Sequence, residues 1–327
     1  MACFRPVPSN YAEELNPETG KRSLNFGSGG IPDFTSVNAG MVLTPCGRCA
    51  GCNRDYSRQW AQRITAEAQM HDSNCMVTFT YDDDHLPDNA SLVPDHMTKL
   101  FKDLRNKGFK FSYYYCGEYG ESTFRPHYHV AFFGVDFSET FVRTSGSGFP
   151  LYSSSLLDAV WARGFTITNE LNSSTAAYIA NYVNKKLRGE FRGLAAADFD
   201  LIDSVLADAK RPNRSTASYN KFARKFLDSF QWREPEFSRM SKRPAIGRRW
   251  FFKFYKDLYP SDQFVFPDGF VSKPARYFDK LLEEFYPDLF HSVKQKRYAR
   301  MVERVNYNRL ADRETHLTLT TNPRTIL

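Results

Sequence analysis

The sequence predicts an α+β fold, an antiparallel sheet with helices packed on its faces, and three observations carry that prediction. From Cys75 onward, alternating runs and helical runs succeed one another in the order β-α-β-β-α-β-α. Two of the strand runs, 109–116 and 126–133, are joined by a short polar stretch and read as a hairpin. The run 94–106 places Met97, Leu100, Phe101 and Leu104 on one side and basic residues on the other, the mark of a helix lying on a sheet. A chain of 327 residues, 42% hydrophobic and 16% aromatic, is long enough to bury a large core as one domain or two.

Residues 1–45 are rich in Gly, Pro, Ser and Asn, show no sustained period, and read as an irregular arm. The segment 53–71 reads as a helix, with Trp60, Ile64 and Ala68 four apart on its apolar side and Arg54, Arg58 and Arg63 elsewhere. Residues 75–81 alternate β-branched and aromatic types and read as a strand, with Asp82, Asp83 and Asp84 in the turn after it. In a sheet this strand is expected beside 126–133. The stretch 136–147 reads as a polar Gly/Ser-rich connection, 156–162 as a short helix and 164–169 as a short strand. Ser173 or Ser174 can cap a helix that runs on through 176–187.

Residues 190–208 are acidic and Ala-rich and read as a helical insertion. From 209 to 256 there are 14 Lys and Arg against 3 Asp and Glu, interleaved with Tyr219, Phe222, Phe226, Trp232, Trp250 and Phe251. Basic residues neutralise phosphates and aromatics stack the bases of single strands, so this reads as an auxiliary DNA surface; an amphipathic support region is the rival. The end, 273–327, reads as two helices and a polar tail. The expected organisation is an N-terminal arm with a Cys cluster over 1–52, a central domain over 53–189 and a helical, basic accessory region over 190–327.

The chemistry concentrates in 113–133. Alternate residues of a strand share a face, so His127 and His129 point one way and Tyr128 the other. Neutral imidazole is a ligand for divalent metals, and Glu118, at the end of the preceding strand, can complete a His, His, Glu set. Glu121 and Asp82–Asp84 are alternatives for the carboxylate. The bland reading of a bare H-x-H is two polar residues on an exposed strand face. Downstream, Tyr178 and Tyr182 sit at i and i+4 on one helix face, followed at once by Lys185 and Lys186. That spacing often means core aromatics. A phenol beside basic residues and a metal suggests a nucleophile for phosphate instead.

Cys46, Cys49 and Cys52 form a C-x-x-C-x-x-C cluster, and Cys3 can supply a fourth thiolate once the arm folds back. Four thiolates suit structural zinc; an iron–sulfur cluster and unliganded buried thiols are the other readings. Cys75 and Cys116 lie in or beside strands and read as packing residues. The polar N-terminus, with Pro6 and Pro8, does not read as a secretory leader, and no apolar run approaches a bilayer span. A reducing cytoplasm is expected, with the six cysteines unpaired. The net charge of +7 favours a polyanionic partner.

H-Y-H followed by Y-x-x-x-Y-V-x-K-K resembles the HUH endonucleases that start rolling-circle replication, and more narrowly the initiators of gokushovirus-type microviruses. Residues 76–87 resemble that family's first motif, 125–129 its second and 178–186 its third, in the same order. The resemblance runs from about 45 to 186, with weaker echoes at 236–256 and 272–282. It implies an HUH endonuclease-like fold, with histidines on a central strand and tyrosines on a helix opposite. It implies nicking of a single-stranded DNA origin, with Mg²⁺ or Mn²⁺ on His127, His129 and Glu118. Tyr178 or Tyr182 would attack and leave a 5′-phosphotyrosine, assisted by Lys185 and Lys186. Host DNA polymerase and helicase would be partners in the bacterial cytoplasm, since no Walker-type loop is present in the chain. Arg125, Arg58, Lys242, Arg243, Arg248 and Arg249 are the candidate DNA contacts. The rival readings are a plasmid relaxase or tyrosine transposase of the same chemistry, and a zinc-containing nucleic-acid-binding protein without catalysis.

Overall fold

The computed structural model describes residues 3, 6–18, 22–26, 41–47, 49–120, 125–146, 148–185 and 233–302. The segments 190–208 and 209–232 and the tail after 302 lie outside the described residues, and with them Tyr219, Phe222, Phe226 and Trp232. The chain divides into two compact units, Met1–Tyr56 with Tyr286–Leu327, and Ser57–Phe285.

In the first unit, β1 (Val7–Leu15), β2 (Arg22–Phe26) and β3 (Met41–Thr44) form an antiparallel sheet in the order β2-β1-β3. The expectation of an irregular arm over 1–45 is corrected here. Tyr11, Leu15 and Phe26 are exposed, so the ribbon has little buried face to impose an alternation a reader could find. Buried Ser9 on β1 and half-buried Thr44 on β3 meet through their hydroxyls, 2.9 Å apart. The helix α1 (Ala50–Ala68) begins in this unit and continues into the second.

The second unit is built on a seven-stranded sheet. Its strands are β4 (Asn74–Tyr81), β5 (Ser112–Tyr119), β6 (Pro126–Phe133), β7 (Thr140–Thr144), β8 (Pro150–Ser153), β9 (Gly164–Glu170) and β10 (Phe237–Met240). The helix α2 (Pro94–Asn106) follows β4, α3 (Ser155–Trp161) precedes β9, and α4 (Ser173–Lys185) follows it. The order across the sheet is β10-β5-β6-β4-β9-β8-β7, every pair antiparallel. This is the expected α+β class, with β4 beside β6 as the sequence predicts.

One face carries the main core. Phe79, Tyr81, Tyr128, Val130 and Phe132 meet Met97, Leu100, Phe101 and Leu104 of α2 and Leu157 and Trp161 of α3. Ring packing is dense: Phe101 stacks on Tyr113 at 4.2 Å, and Trp161 lies 5.2 Å from Tyr81. Aromatic pairs in offset or edge geometry add about 0.5–1.5 kcal/mol each beyond burial. The other face receives α4, which lies against β5, β6 and β10, and α1, whose Trp60 ring is 5.1 Å from Tyr114.

Two further strands were not expected. The stretch 136–147 contains β7, which pairs with β8; all five β7 residues are exposed, so no buried face marks it in the sequence. The edge strand β10 arrives from more than 100 residues downstream to pair with β5. After β10, the segment that leads to α5 (Arg248–Ser261) is sewn to α1. The N–H of Gly247 donates to Glu67 Oε2 at 2.8 Å, Arg249 donates to Glu67 Oε1 at 3.2 Å, and Trp250 Nε1 donates to Gln69 Oε1 at 2.6 Å. Gly247 has φ +78°, a left-handed conformation that favours glycine. A small hairpin, β11 (Phe264–Val265) with β12 (Val271–Ser272), leads to α6 (Arg276–Phe285), and Trp250, Phe264 and Phe278 share a second aromatic cluster. In the first unit, α7 (Pro287–Val302) has proline at its start, where the missing N–H is not needed. Among the described residues no helix is long and apolar enough to cross a membrane.

Candidate functional site

The face of the sheet under α4 brings the chemistry-bearing residues together through register alone. Glu118 of β5 pairs with His127 of β6, which pairs with Thr80 of β4, which pairs with Phe165 of β9. Two residues along, Cys116, His129, Thr78 and Ile167 form the next rung. Directly paired residues share a face, so the histidines, Glu118 and both threonines project together.

Glu118 and His129 are 4% and 5% exposed, and Glu118 Oε1 lies 2.8 Å from His129 Nε2. Each imidazole also meets a hydroxyl on β4. Thr78 Oγ1 is 2.9 Å from His129 Nδ1, and Thr80 Oγ1 is 3.3 Å from His127 Nδ1. A hydroxyl that accepts the Nδ1 proton leaves the Nε2 lone pair for a cation, the arrangement in which a neighbour orients a ligating histidine. Sequence reasoning missed Thr78 and Thr80. Their signal was their place on the strand expected beside 126–133, but the register that pairs them with the histidines is not written in the sequence.

Tyr178, on α4, meets His129 edge to face, with ring centroids 5.5 Å apart at 85°. It is 43% exposed, so a strand of nucleic acid can reach it. The backbone of Tyr182 lies one turn further along α4, about 6 Å. The side chains of Tyr182 and Lys185, and all of Lys186 and Glu121, lie outside the described residues. Tyr128 faces the opposite side. It is buried, and burial together with the neighbouring Tyr81 hydroxyl pushes its phenol far above the usual tyrosine range. A tyrosine held that firmly protonated serves the core.

The remaining candidates divide into engaged and exposed. Asp82 accepts from the backbone N–H of His85 and lies 2.7 Å from its Nδ1; His85 holds the Asp82 carboxyl below its ordinary value. Arg125 donates to Asp83 at 2.6 Å and to the Tyr81 carbonyl at 3.0 Å, bracing the turn after β4. Arg249 is tied to Glu67, and Arg248 lies over the rings of Phe252 and Phe285. Lys242 and Arg243 are exposed, and Arg58 is half-buried on α1.

The first unit holds a second constellation. The sulfur atoms of Cys3, Cys46, Cys49 and Cys52 all lie within 4.8 Å of one another. Cys46 and Cys52 sulfurs are 4.0 Å apart and those of Cys3 and Cys49 3.9 Å. Burial, reinforced by the Cys3 and Cys49 thiols, pushes the Cys52 thiol up. A divalent cation among four sulfurs supplies the charge that reverses this, and the quartet can hold a structural metal such as zinc. The trio of His127, His129 and Glu118 offers three donors against the quartet's four, the pattern of a site that must also admit a substrate.

Comparison with known proteins fits this arrangement. The family model for the replication-associated protein ORF2 matches residues 74–187, from β4 to the end of α4. The replication-associated protein ORF2 of Spiroplasma virus 4 is 28% identical over 319 residues, covering 91% of this chain and 86% of that protein. The chain is a homologue of phage replication-associated proteins. The VP4 replication-associated protein of Bdellovibrio phage phiMH2K is 25% identical over 299 residues, 88% of this chain and 79% of that protein. For ORF4 of Chlamydia phage 1 the figures are 26% over 269 residues, 77% and 58%. These are gokushovirus-like microviruses, the branch that the H-Y-H and tyrosine motifs resemble. No solved structure matches. Every residue of the two rungs and Tyr178 falls inside the span that the replication family model covers.

Proposed function

We propose that this homologue of phage replication-associated proteins initiates rolling-circle replication by nicking single-stranded origin DNA through a tyrosine. The observation that carries the reading is Tyr178 seated edge-on against His129, itself hydrogen-bonded to Glu118 on the face that also bears His127. Tyr178 or Tyr182 attacks the scissile phosphorus through its phenolic oxygen. The bond from phosphorus to the 3′ oxygen breaks, leaving a 5′-phosphotyrosine and a 3′-hydroxyl that a host polymerase extends. Attack by that or a later 3′-hydroxyl reverses the step and rejoins strands without ATP.

His127, His129 and Glu118 are the donors that would hold Mg²⁺ or Mn²⁺, and their imidazoles lean towards manganese. When bound, such an ion supplies Lewis-acid stabilisation of charge on the phosphate. Thr78 and Thr80 keep the imidazoles oriented. A free tyrosine is only about 0.1% ionised at neutral pH, so the site must promote loss of the phenolic proton; Lys185 and Lys186 supply positive charge for this. Two tyrosines a helical turn apart suit repeated use, one holding the 5′ end while the other cuts the next copy. The action belongs in the cytoplasm of the bacterial host, with a host helicase opening the duplex.

The test is incubation with single-stranded DNA and Mn²⁺ followed by denaturing electrophoresis. The expected result is a protein–DNA adduct that survives denaturation and disappears in the Tyr178→Phe/Tyr182→Phe double variant. An adduct that persists in the double variant overturns the assignment, and its absence from the unaltered protein leaves a binder without catalysis.

A further inference from the structure

Phe165 occupies an unusual place for a large apolar side chain. It sits on β9 in the rung that runs Glu118, His127, Thr80, Phe165, so it shares a face with the candidate metal ligands. Its neighbour Thr166 points the other way, donating its hydroxyl to Asp158 of α3, which fixes the facing of Phe165 independently. The ring is 67% exposed. Among the described residues no other ring packs on it. On its far side, β8 pairs with β9 only at Tyr152 and Thr168, so no strand residue flanks Phe165 there. Adjacent strands lie about 4.8 Å apart, which puts Phe165 about 10 Å from His127 along the rung. The acidic residues of the nearby turn face partners of their own, Asp82 to His85 and Asp83 to Arg125.

A lone exposed apolar residue needs no explanation in general. Here the position supplies one. A flat ring without a stacking partner, on the face where a phosphodiester would lie, has the geometry of a base-stacking platform. Aromatic side chains hold single strands this way because every base has a π-face. Thr80 links the two functions: its hydroxyl lies against His127 while its backbone pairs with Phe165.

We propose that Phe165 stacks a base of the single strand next to the scissile phosphate or one nucleotide beyond, fixing the register of the strand on the site. The assignment rests on the strand-nicking function proposed above and adds a specific DNA contact to it. Phe165 is a positioning residue: it touches the strand and takes no part in bond making.

The experiment measures binding of the full chain to labelled oligo-dT and to an abasic strand of the same length, without metal, for the unaltered protein and for Phe165→Ala, Phe165→Leu and Phe165→Trp. Loss of one base stack corresponds to about 5- to 150-fold in affinity. Phe165→Ala and Phe165→Leu are expected to lose that factor on oligo-dT and nothing on the abasic strand, whereas Phe165→Trp keeps it. Leucine preserves apolar bulk without a ring plane, so equal binding by Phe165→Leu and the unaltered protein overturns the proposal. So does a loss of equal size on both strands. Adduct formation with Mn²⁺ is read separately. If the unaltered protein forms no adduct, the nicking function fails while the stacking result still stands on its own binding data.

Discussion

At the residue scale, two tyrosines of similar surroundings in sequence have opposite duties. Tyr128 lies between the histidines in the chain but faces the core, where its hydroxyl accepts from the Val93 N–H at 2.7 Å and meets Tyr81 at 3.0 Å. Tyr128→Phe leaves that N–H without its acceptor and is expected to cost about 1–3 kcal/mol of stability, with adduct formation intact; thermal melting and the denaturing gel check both halves. Tyr178→Phe is expected to do the reverse, leaving melting unchanged and reducing the adduct. Thr78→Val removes the partner of His129 Nδ1. It is expected to raise the Mn²⁺ concentration for half-maximal nicking about 10- to 100-fold, as a metal titration would show. His96 supplies a pH prediction. Burial first, then the charge of Arg163, depresses its folded value below 6.5, and its Nδ1 lies 2.7 Å from the Tyr81 hydroxyl. In that window the unfolded chain binds more protons, so stability falls as pH drops from about 6.5 towards the depressed value. His96→Asn should flatten this slope in melts run across pH. The period of two in a strand was enough to place His127, His129 and Tyr128 on their correct faces. The threonine partners were not legible, because register depends on a neighbouring strand.

At the element scale, the strands that the sequence revealed are those with a buried face. β4, β5 and β6 carry core residues that show in the pattern, and Pro126–Phe133 was bounded correctly from sequence alone. β7, fully exposed, and the ribbon of β1–β3 have no such pressure and were read as irregular. β10 is short and distant, and its pairing with β5 is a long-range choice that no local signal announces. Gly164, by contrast, is a local signal with a clear cause. It opens β9 at φ +139°, and a Cβ there would collide with the backbone of Thr80 and Asp82. Gly164→Ala is expected to destabilise the second unit by at least about 1–3 kcal/mol, read as a lower melting temperature. Because Gly164 immediately precedes Phe165, the same variant should also weaken single-strand binding.

At the scale of the whole molecule, the cysteine quartet gathers residues from positions 3 to 52 into one cluster. The spacing of Cys46, Cys49 and Cys52 made three of its members legible, and the return of Cys3 follows from β1 pairing with β3, which brings the start of the chain beside residues 41–44. Exhaustive chelation, or Cys52→Ser, is expected to lower the melting temperature of the first unit, with one zinc per chain lost by elemental analysis. Retention of both the metal and the melting temperature in Cys52→Ser would remove that residue from the ligand set.

The seating of β10 has a temporal consequence. β5, which contributes Glu118, keeps one bare flank of N–H and C=O groups until residues 237–240 have left the ribosome. A nascent or prematurely terminated chain therefore holds both imidazoles but an unfinished carboxylate strand, prone to sticking to its like. Competence to cut would come only with nearly full-length translation, a built-in delay that guards the template against half-made copies of the protein.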